Sequence, residues 1–513
     1  MLRLIKRPSP ARALLSLIAL LPVVAESQMA APAPVLSPPP AISAADYAAR
    51  RATLVAAVDS GIILAFGEIE PFVYYPEFFQ IPNFQYLTGF GESDAAMLIL
   101  KRRGSPTSTM MFVPTQSPVM ARYVGDRTAL ADMQRTLGMT GRNLTQLRPV
   151  VDSLIATGLP VYFVPDVHSG DHFDDDSVTT GARFISALRA AHPDLRIASL
   201  DSGITVLREK KTPLEIELLR HAAQISVRGH QEAMKAAAPG CGENEIQSLI
   251  DGTFRRLGGD RPGYGSIVAS GKNANTLHYM KDADTLRDGD LILIDAATSY
   301  EHYSADVTRT FPVNGKFSAS QRDIYQLVRD AQQAFVRQIK AGVAESVAGD
   351  SGQAVIAKGL TRFGLIESPD AVFDAFPGMK CPKDGCKQVR LYALHGYGGH
   401  GIGLEVHDPA QYYNPGNLFK VGDVFTVEPG IYVSPDYIAL LPDTPRNRAM
   451  RAKIAPAVEK YKWIGVRIED DYAISEHGVE WLSNGAPREI SEIEALMRQP
   501  SPQLPGGGTC GRQ

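Results

Sequence analysis

A Gly-Asp turn, four strand-forming residues and then a carboxylate occur twice in this chain, in Gly289-Asp290-Leu291-Ile292-Leu293-Ile294-Asp295 and in Gly422-Asp423-Val424-Phe425-Thr426-Val427-Glu428. An unbroken β-prone run such as Leu291–Ile294 reads as a strand buried on both faces. A carboxylate at the end of such a run is costly to bury unless something positive sits beside it. Taken alone, Asp295 also fits a turn cap. Two copies of the pattern predict an internal duplication in which related halves each bring an acid to a shared centre.

Further acids fall into the same frame. After the polar residues Ser299, Tyr300, Glu301 and His302, the segment Asp306 to Phe311 alternates polar and apolar side chains, which predicts a hairpin partner with Asp306, Thr308 and Thr310 on one face. Trp463 to Tyr472 is another β-prone run, with Arg467 and Glu469 sharing a face. Converging carboxylates repel one another, so a metal site is the natural way to hold them together. The glycine-rich stretch from His395 to Asp408 concentrates His395, His400 and His407 where the backbone can turn sharply. One imidazole with four carboxylates is a hard donor set that suits two Mn²⁺-like ions, with Zn²⁺ or Co²⁺ as alternatives.

Asp295, Asp306, His400, Glu428 and Glu469, in that order and context, resemble the metal ligands of the pita-bread metallopeptidases, in the aminopeptidase P and prolidase branch. The stretches Tyr264 to Tyr279, Asp306 to Gly315, Val427 to Tyr432 and Arg467 to Asp471 are similar to that branch's motifs across most of residues 208–490. Pro82 to Phe90, followed by Glu92-Ser93-Asp94, is similar to the aminopeptidase P amino-terminal domain. The resemblance implies an α+β fold, with a duplicated αββ pita-bread domain preceded by a smaller α/β layer domain. It implies that two metal ions share a hydroxide, that Asp306 and Glu469 bridge them, that Asp295 chelates one ion and His400 with Glu428 the other, and that Glu428 also shuttles a proton. His278 and His407 would stabilise the oxyanion and hold substrate, while Tyr264 and Arg467 would orient the carboxylates. His395 stands five positions before His400, where the family has four, and is left out of the ligand set.

The implied activity is that of an Xaa-Pro aminopeptidase acting on proline-containing peptides. A dipeptidase confined to Xaa-Pro and a binding protein with an intact site are the alternatives. A methionine aminopeptidase is disfavoured by the long preceding domain. Family members are often dimers or tetramers, so a homo-oligomer is expected.

Arg3, Lys6, Arg7 and Arg12 precede the apolar run Ala13 to Ala25, which ends in small residues. That succession predicts a cleavable signal peptide over 1–25 and a periplasmic or secreted protein without stable membrane insertion, since the run is short of the ~20 residues a span needs. An Ala/Pro-rich linker is expected over 26–43, the layer domain over 44–205, the catalytic domain over 206–498 and a disordered tail over 499–513. The formal charge of −4 does not favour nucleic acid. Thr212-Pro213-Leu214-Glu215 has the form of a capping box and predicts the helix that opens the catalytic domain, with a second helix expected over 321–340. Export permits a disulfide, and Cys381 with Cys386 reads equally as a bridged pair or as free thiols. Two insertions, 378–390 and the basic 437–460, flank the ligand-bearing segments, either shaping access to the site or decorating the surface.

Overall fold

A computed structural model describes residues 36–70, 77–166, 179–393, 398–409 and 417–501. The expected signal peptide, most of the linker, His395 and the end of the tail lie outside the described residues.

The amino-terminal region is built on a six-stranded sheet with Gly61–Phe66 at its middle, antiparallel to Ala96–Lys101 and parallel to Val161–Phe163. Successive side chains of a strand point to opposite faces. Ile62, Leu64 and Phe66 accordingly pack with Leu147, Val151, Ile185 and Leu188, while Ile63 and Ala65 pack with Leu54, Phe84 and Leu87. The first set lies on the helices Leu147–Ile155 and Thr180–Ala191, the second on Ala44–Leu54 and Pro82–Thr88, so the sheet is sandwiched between helices.

The remainder is a duplicated arrangement of a helix pair followed by antiparallel strands. Helices Pro213–Ala236 and Glu243–Arg256 precede Ile267–Ser270, Leu291–Asp295 and Thr308–Pro312, with Leu291–Asp295 central and wholly buried. Helices Ala319–Val336 and Glu345–Phe363 precede Val424–Val427 and Gly430–Tyr432, which pair with Asp470–Ser475 and Gly465–Arg467. The capping box forms as the sequence predicts: Glu215 N donates to Thr212 Oγ1 at 3.3 Å and Thr212 N to Glu215 Oε2 at 2.9 Å. The polar turn 299–302 is more elaborate than expected. Thr298–Tyr300 and Tyr303–Ser304 make their own small hairpin, with Glu301 and His302 at φ +48° and +69°.

The two regions are tied by buried charge. Arg50, on the first helix, lies 3.0 Å from Glu215 Oε1, and the Tyr303 hydroxyl donates to the same carboxylate at 2.8 Å. The division expected at 205/206 falls within the helix Asp201–Glu209. The basic insertion forms the helices Pro435–Leu440 and Pro445–Tyr461. Cys381 and Cys386 are disulfide-bonded, their Cα atoms 5.1 Å apart. Arg446 pins that loop to the second helix by donating to the Asp384 carbonyl and to Asp374 Oδ1, each at 2.7 Å. Among the described residues no helix is long and apolar enough to cross a membrane.

His230 is wholly buried on the opening helix, with Nε2 donating to the Ala296 carbonyl at 2.8 Å. Burial pushes its pKa down to about 4. Between that value and the ~6.5 of an unfolded histidine, the unfolded chain binds a proton that the folded chain refuses, so stability falls as pH drops through this window, by ~3 kcal/mol in total. Urea unfolding of metal-stripped protein at pH 7 and pH 4.5 should therefore lose less stability in His230→Gln than in the parent. Equal losses would remove His230 as a source of acid sensitivity.

Candidate metal centre

The two repeats deliver their acids to one place. Asp295 closes the central strand opposite Thr308, and Asp306 lies just before the strand that Thr308 opens. The Tyr264 hydroxyl is 2.6 Å from Asp295 Oδ1 and 2.6 Å from Asp306 Oδ1, so it joins the two carboxyl groups. His400 Nε2 is 3.5 Å from Asp306 Oδ2 and 3.4 Å from Glu428 Oε1. Donor atoms of Asp306, His400 and Glu469 all lie within 4.8 Å of one another. Asp295, Asp306, His400, Glu428 and Glu469 are thereby brought together.

Strand periodicity supplies the supports. Thr308 and Thr310 share a face: Thr308 Oγ1 donates to Glu469 Oε2 at 2.5 Å and Thr310 Oγ1 to the Arg467 carbonyl at 2.9 Å. Thr426, two residues before Glu428, donates to Glu428 Oε1 at 3.2 Å and accepts the His400 backbone N–H at 3.1 Å. Arg467, 1% exposed, donates to Asp295 Oδ2 at 2.5 Å, to Thr308 Oγ1 at 3.0 Å and to the Tyr432 hydroxyl at 2.7 Å. From sequence, Thr308 has only a face shared with Asp306, and Thr426 and Tyr432 have no role. The signal for the threonines is their i±2 spacing from Asp306 and Glu428.

Among the described residues the charge balance does not close on protein groups alone. Burial, then Asp295 and Glu428, push the Asp306 carboxyl well above the usual carboxylate range. Burial, then Asp306 and Glu428, do the same to Glu469. The Tyr264 phenol is also driven up, by burial first and then by Asp295. One guanidinium cannot neutralise four clustered carboxylates, and hard divalent cations bind such oxygen-rich sets. The donors present fit that kind of ion.

The other expected residues separate. The His407 ring centroid is 3.9 Å from that of His400, which places it at the cluster. His278 is exposed on the loop after Gly271–Asn275, and among the described residues no hydrogen bond or ion pair ties it to the carboxylates.

A buried, acid-rich centre on a duplicated helix-and-strand frame has the chemistry of a metallohydrolase. Residues 217–476 match metallopeptidase family M24, and residues 47–162 match the aminopeptidase P N-terminal domain. The chain belongs to metallopeptidase family M24, a family that implies divalent metal ions. It is 34% identical over 442 residues to an Xaa-Pro aminopeptidase of Haemophilus influenzae, covering 85% of this chain and 93% of that protein. It is 30% identical over 469 residues to the Xaa-Pro aminopeptidase of Escherichia coli, covering 89% and 98% of the two chains. The solved structure of aminopeptidase P from E. coli with the inhibitor Pro-Leu superposes with a TM-score of 0.73 at 28% identity, covering 89% of this chain and 99% of that one. Its amino-terminal domain and carboxy-terminal pita-bread domain are the α+β architecture described above.

Proposed function

We propose that the protein is an Xaa-Pro aminopeptidase that hydrolyses the bond between an amino-terminal residue and a following proline. The observation that carries this reading is the convergence of Asp295, Asp306, His400, Glu428 and Glu469 behind an aminopeptidase P N-terminal domain. These five residues would hold two divalent ions, Mn²⁺ first among them. When bound, such ions supply Lewis acidity and lower the pKa of water towards neutrality. Glu428, one of whose oxygens accepts from Thr426, would carry a proton from the attacking water to the leaving amine. His407, beside His400, would donate to the peptide around the scissile bond, a role that for His278 rests on the family resemblance alone, and Tyr264 and Arg467 keep Asp295 and Asp306 aimed inward.

An aminopeptidase must leave the far end of its site open, whereas a dipeptidase closes it with a cation. The insertion's arginines are occupied elsewhere: Arg446 by Asp374, and Arg448 and Arg451 by Asp443 at 2.9 and 3.7 Å. That favours the aminopeptidase. Metal-reconstituted protein is expected to cleave Xaa-Pro-Yaa and longer peptides at least as efficiently as Xaa-Pro, and to leave Xaa-Ala-Yaa intact. Hydrolysis of the dipeptide alone would hand the chain to the prolidase reading, and inertness towards all three would mark a binding protein. Export rests on the succession Arg3 to Ala25, and mass spectrometry of the mature amino terminus tests it. Assembly as a dimer or tetramer follows the family resemblance and is read by light scattering.

A further inference from the structure

The loop carrying His400 and His407 ends at Asp408, whose carboxylate is enclosed by groups from outside the duplicated frame. Arg208, on the helix Asp201–Glu209, donates through Nη2 to Asp408 and to Glu405 Oε2, the latter at 2.8 Å. Its Nη1 donates to Asn83 Oδ1 at 2.8 Å. The Asn83 amide nitrogen donates in turn to the Pro165 carbonyl at 2.9 Å, which fixes which end of that side chain faces the guanidinium. Lys211 Nζ lies 3.2 Å from Asp408 Oδ2 and donates to the Asp408 carbonyl at 3.1 Å. Arg208, Lys211 and Asp408 are each 3% exposed or less.

The loop's backbone is held as well. Asp408 N donates to the Gly401 carbonyl at 2.8 Å, and Ser304 N to the Gly403 carbonyl at 2.6 Å. A Cβ on Gly403 would collide with the Asp408 carboxylate, so glycine there makes room for the ion pair. As a means of joining two regions, buried ion pairs are a poor choice, because desolvation offsets much of their attraction and apolar residues would serve better. What a forked guanidinium adds is direction, fixing where a carboxylate, and the backbone bearing it, must sit.

We propose that Asn83, Arg208 and Lys211 form a positioning clamp on Asp408 that sets the His407 imidazole beside His400, so that the amino-terminal region takes part in turnover. The kinetic side of this inference rests on the peptidase reading given above. The helix Pro82–Thr88, which carries Asn83, then has a role, which is to aim Arg208.

The test uses full-length, metal-loaded protein and the variants Arg208→Met, Arg208→Lys and Asp408→Asn. Each is assayed for metal content, melting temperature, kcat and KM on an Xaa-Pro-Yaa tripeptide, and amide hydrogen exchange. Misplacing a catalytic group by about an ångström can cost ~100-fold, so Arg208→Met and Asp408→Asn are expected to lose kcat on that scale with KM within ~3-fold. Arg208→Lys should recover much of the loss, metal content should stay at the parent level, and exchange should quicken across 401–408 but not across 291–295. The clamp is overturned if kcat stays at the parent value, if its loss merely follows metal content or melting temperature, or if Arg208→Lys is no better than Arg208→Met. Should these variants fail to fold, Asn83→Ala leaves both charged partners in place and removes the amide whose oxygen aims the guanidinium, together with its bond to the Pro165 carbonyl, and it is expected to lower kcat ~10-fold. A parent protein inert on every proline peptide would sink the peptidase reading, yet the exchange comparison would still decide the clamp.

Discussion

Asp306→Asn should remove measurable turnover, by ~10³-fold or more, while the fold survives. The carboxyl group at this position stands between Tyr264 and His400, where an amide could accept the Tyr264 hydrogen bond but supply no charge to a cation. Burial and the neighbouring Asp295 and Glu428 raise its pKa in the metal-free protein. A raised carboxyl weakens the folded state as pH climbs from the unfolded value through the folded one, so metal-stripped Asp306→Asn should be more stable than the metal-stripped parent at pH 8. Metal uptake by the parent must also expel the protons these carboxyl groups hold, and the variant should expel fewer. Calorimetric titration in two buffers of different ionisation enthalpy counts them. A variant that bound two metals, released the same protons and turned over normally would exclude Asp306 from the donor set.

Arg309→Met is expected to cost ~3–5 kcal/mol of unfolding free energy, the loss associated with stranding a buried charge. Arg309 is fully buried and donates to the carbonyls of Thr308 at 2.9 Å, Glu469 at 2.6 Å, Ala486 at 3.0 Å and Pro487 at 3.0 Å, and to Asp470 Oδ1 at 2.6 Å. Burial alone would raise the Asp470 carboxyl, but Arg309 and Arg488 together hold it below its ordinary range. In a urea double-mutant cycle, Asp470→Asn should therefore be less damaging after Arg309→Met than in the parent. Additivity of the two changes would show that the pair is not coupled. Because Arg309 holds the Glu469 carbonyl and the neighbouring Asp470 carboxylate, turnover should fall as well.

The contrast between Asp306 and Arg309 shows what could be read from sequence. The convergence of Asp295 and Glu428 was legible because each ends an apolar run after a Gly-Asp turn, and the strand register carries such positions inward without help from distant residues. The helix opening at Pro213 was legible for the same reason, its capping box being local. Arg309 was not, because its partners near 470 and 487 are set by tertiary packing that no short window contains. The β-prone run 463–472 was read as one strand, yet Gly465–Arg467 and Asp470–Ser475 belong to different sheets. The break leaves Glu469 on the segment between them. Likewise Glu301 and His302, read as a simple polar turn, adopt left-handed backbone that spacing alone does not announce.

The Arg50–Glu215–Tyr303 contact bears on how this enzyme could be dissected or recombined. A fragment beginning near residue 206 would retain every candidate donor, along with Arg208 and Lys211. It would also uncover Glu215, 2% exposed in the whole chain, with its guanidinium deleted. The seam that looks separable in the sequence is thus a shared charge account, and swapping the front half for a relative's would succeed only where the donor supplies an arginine at the place of Arg50.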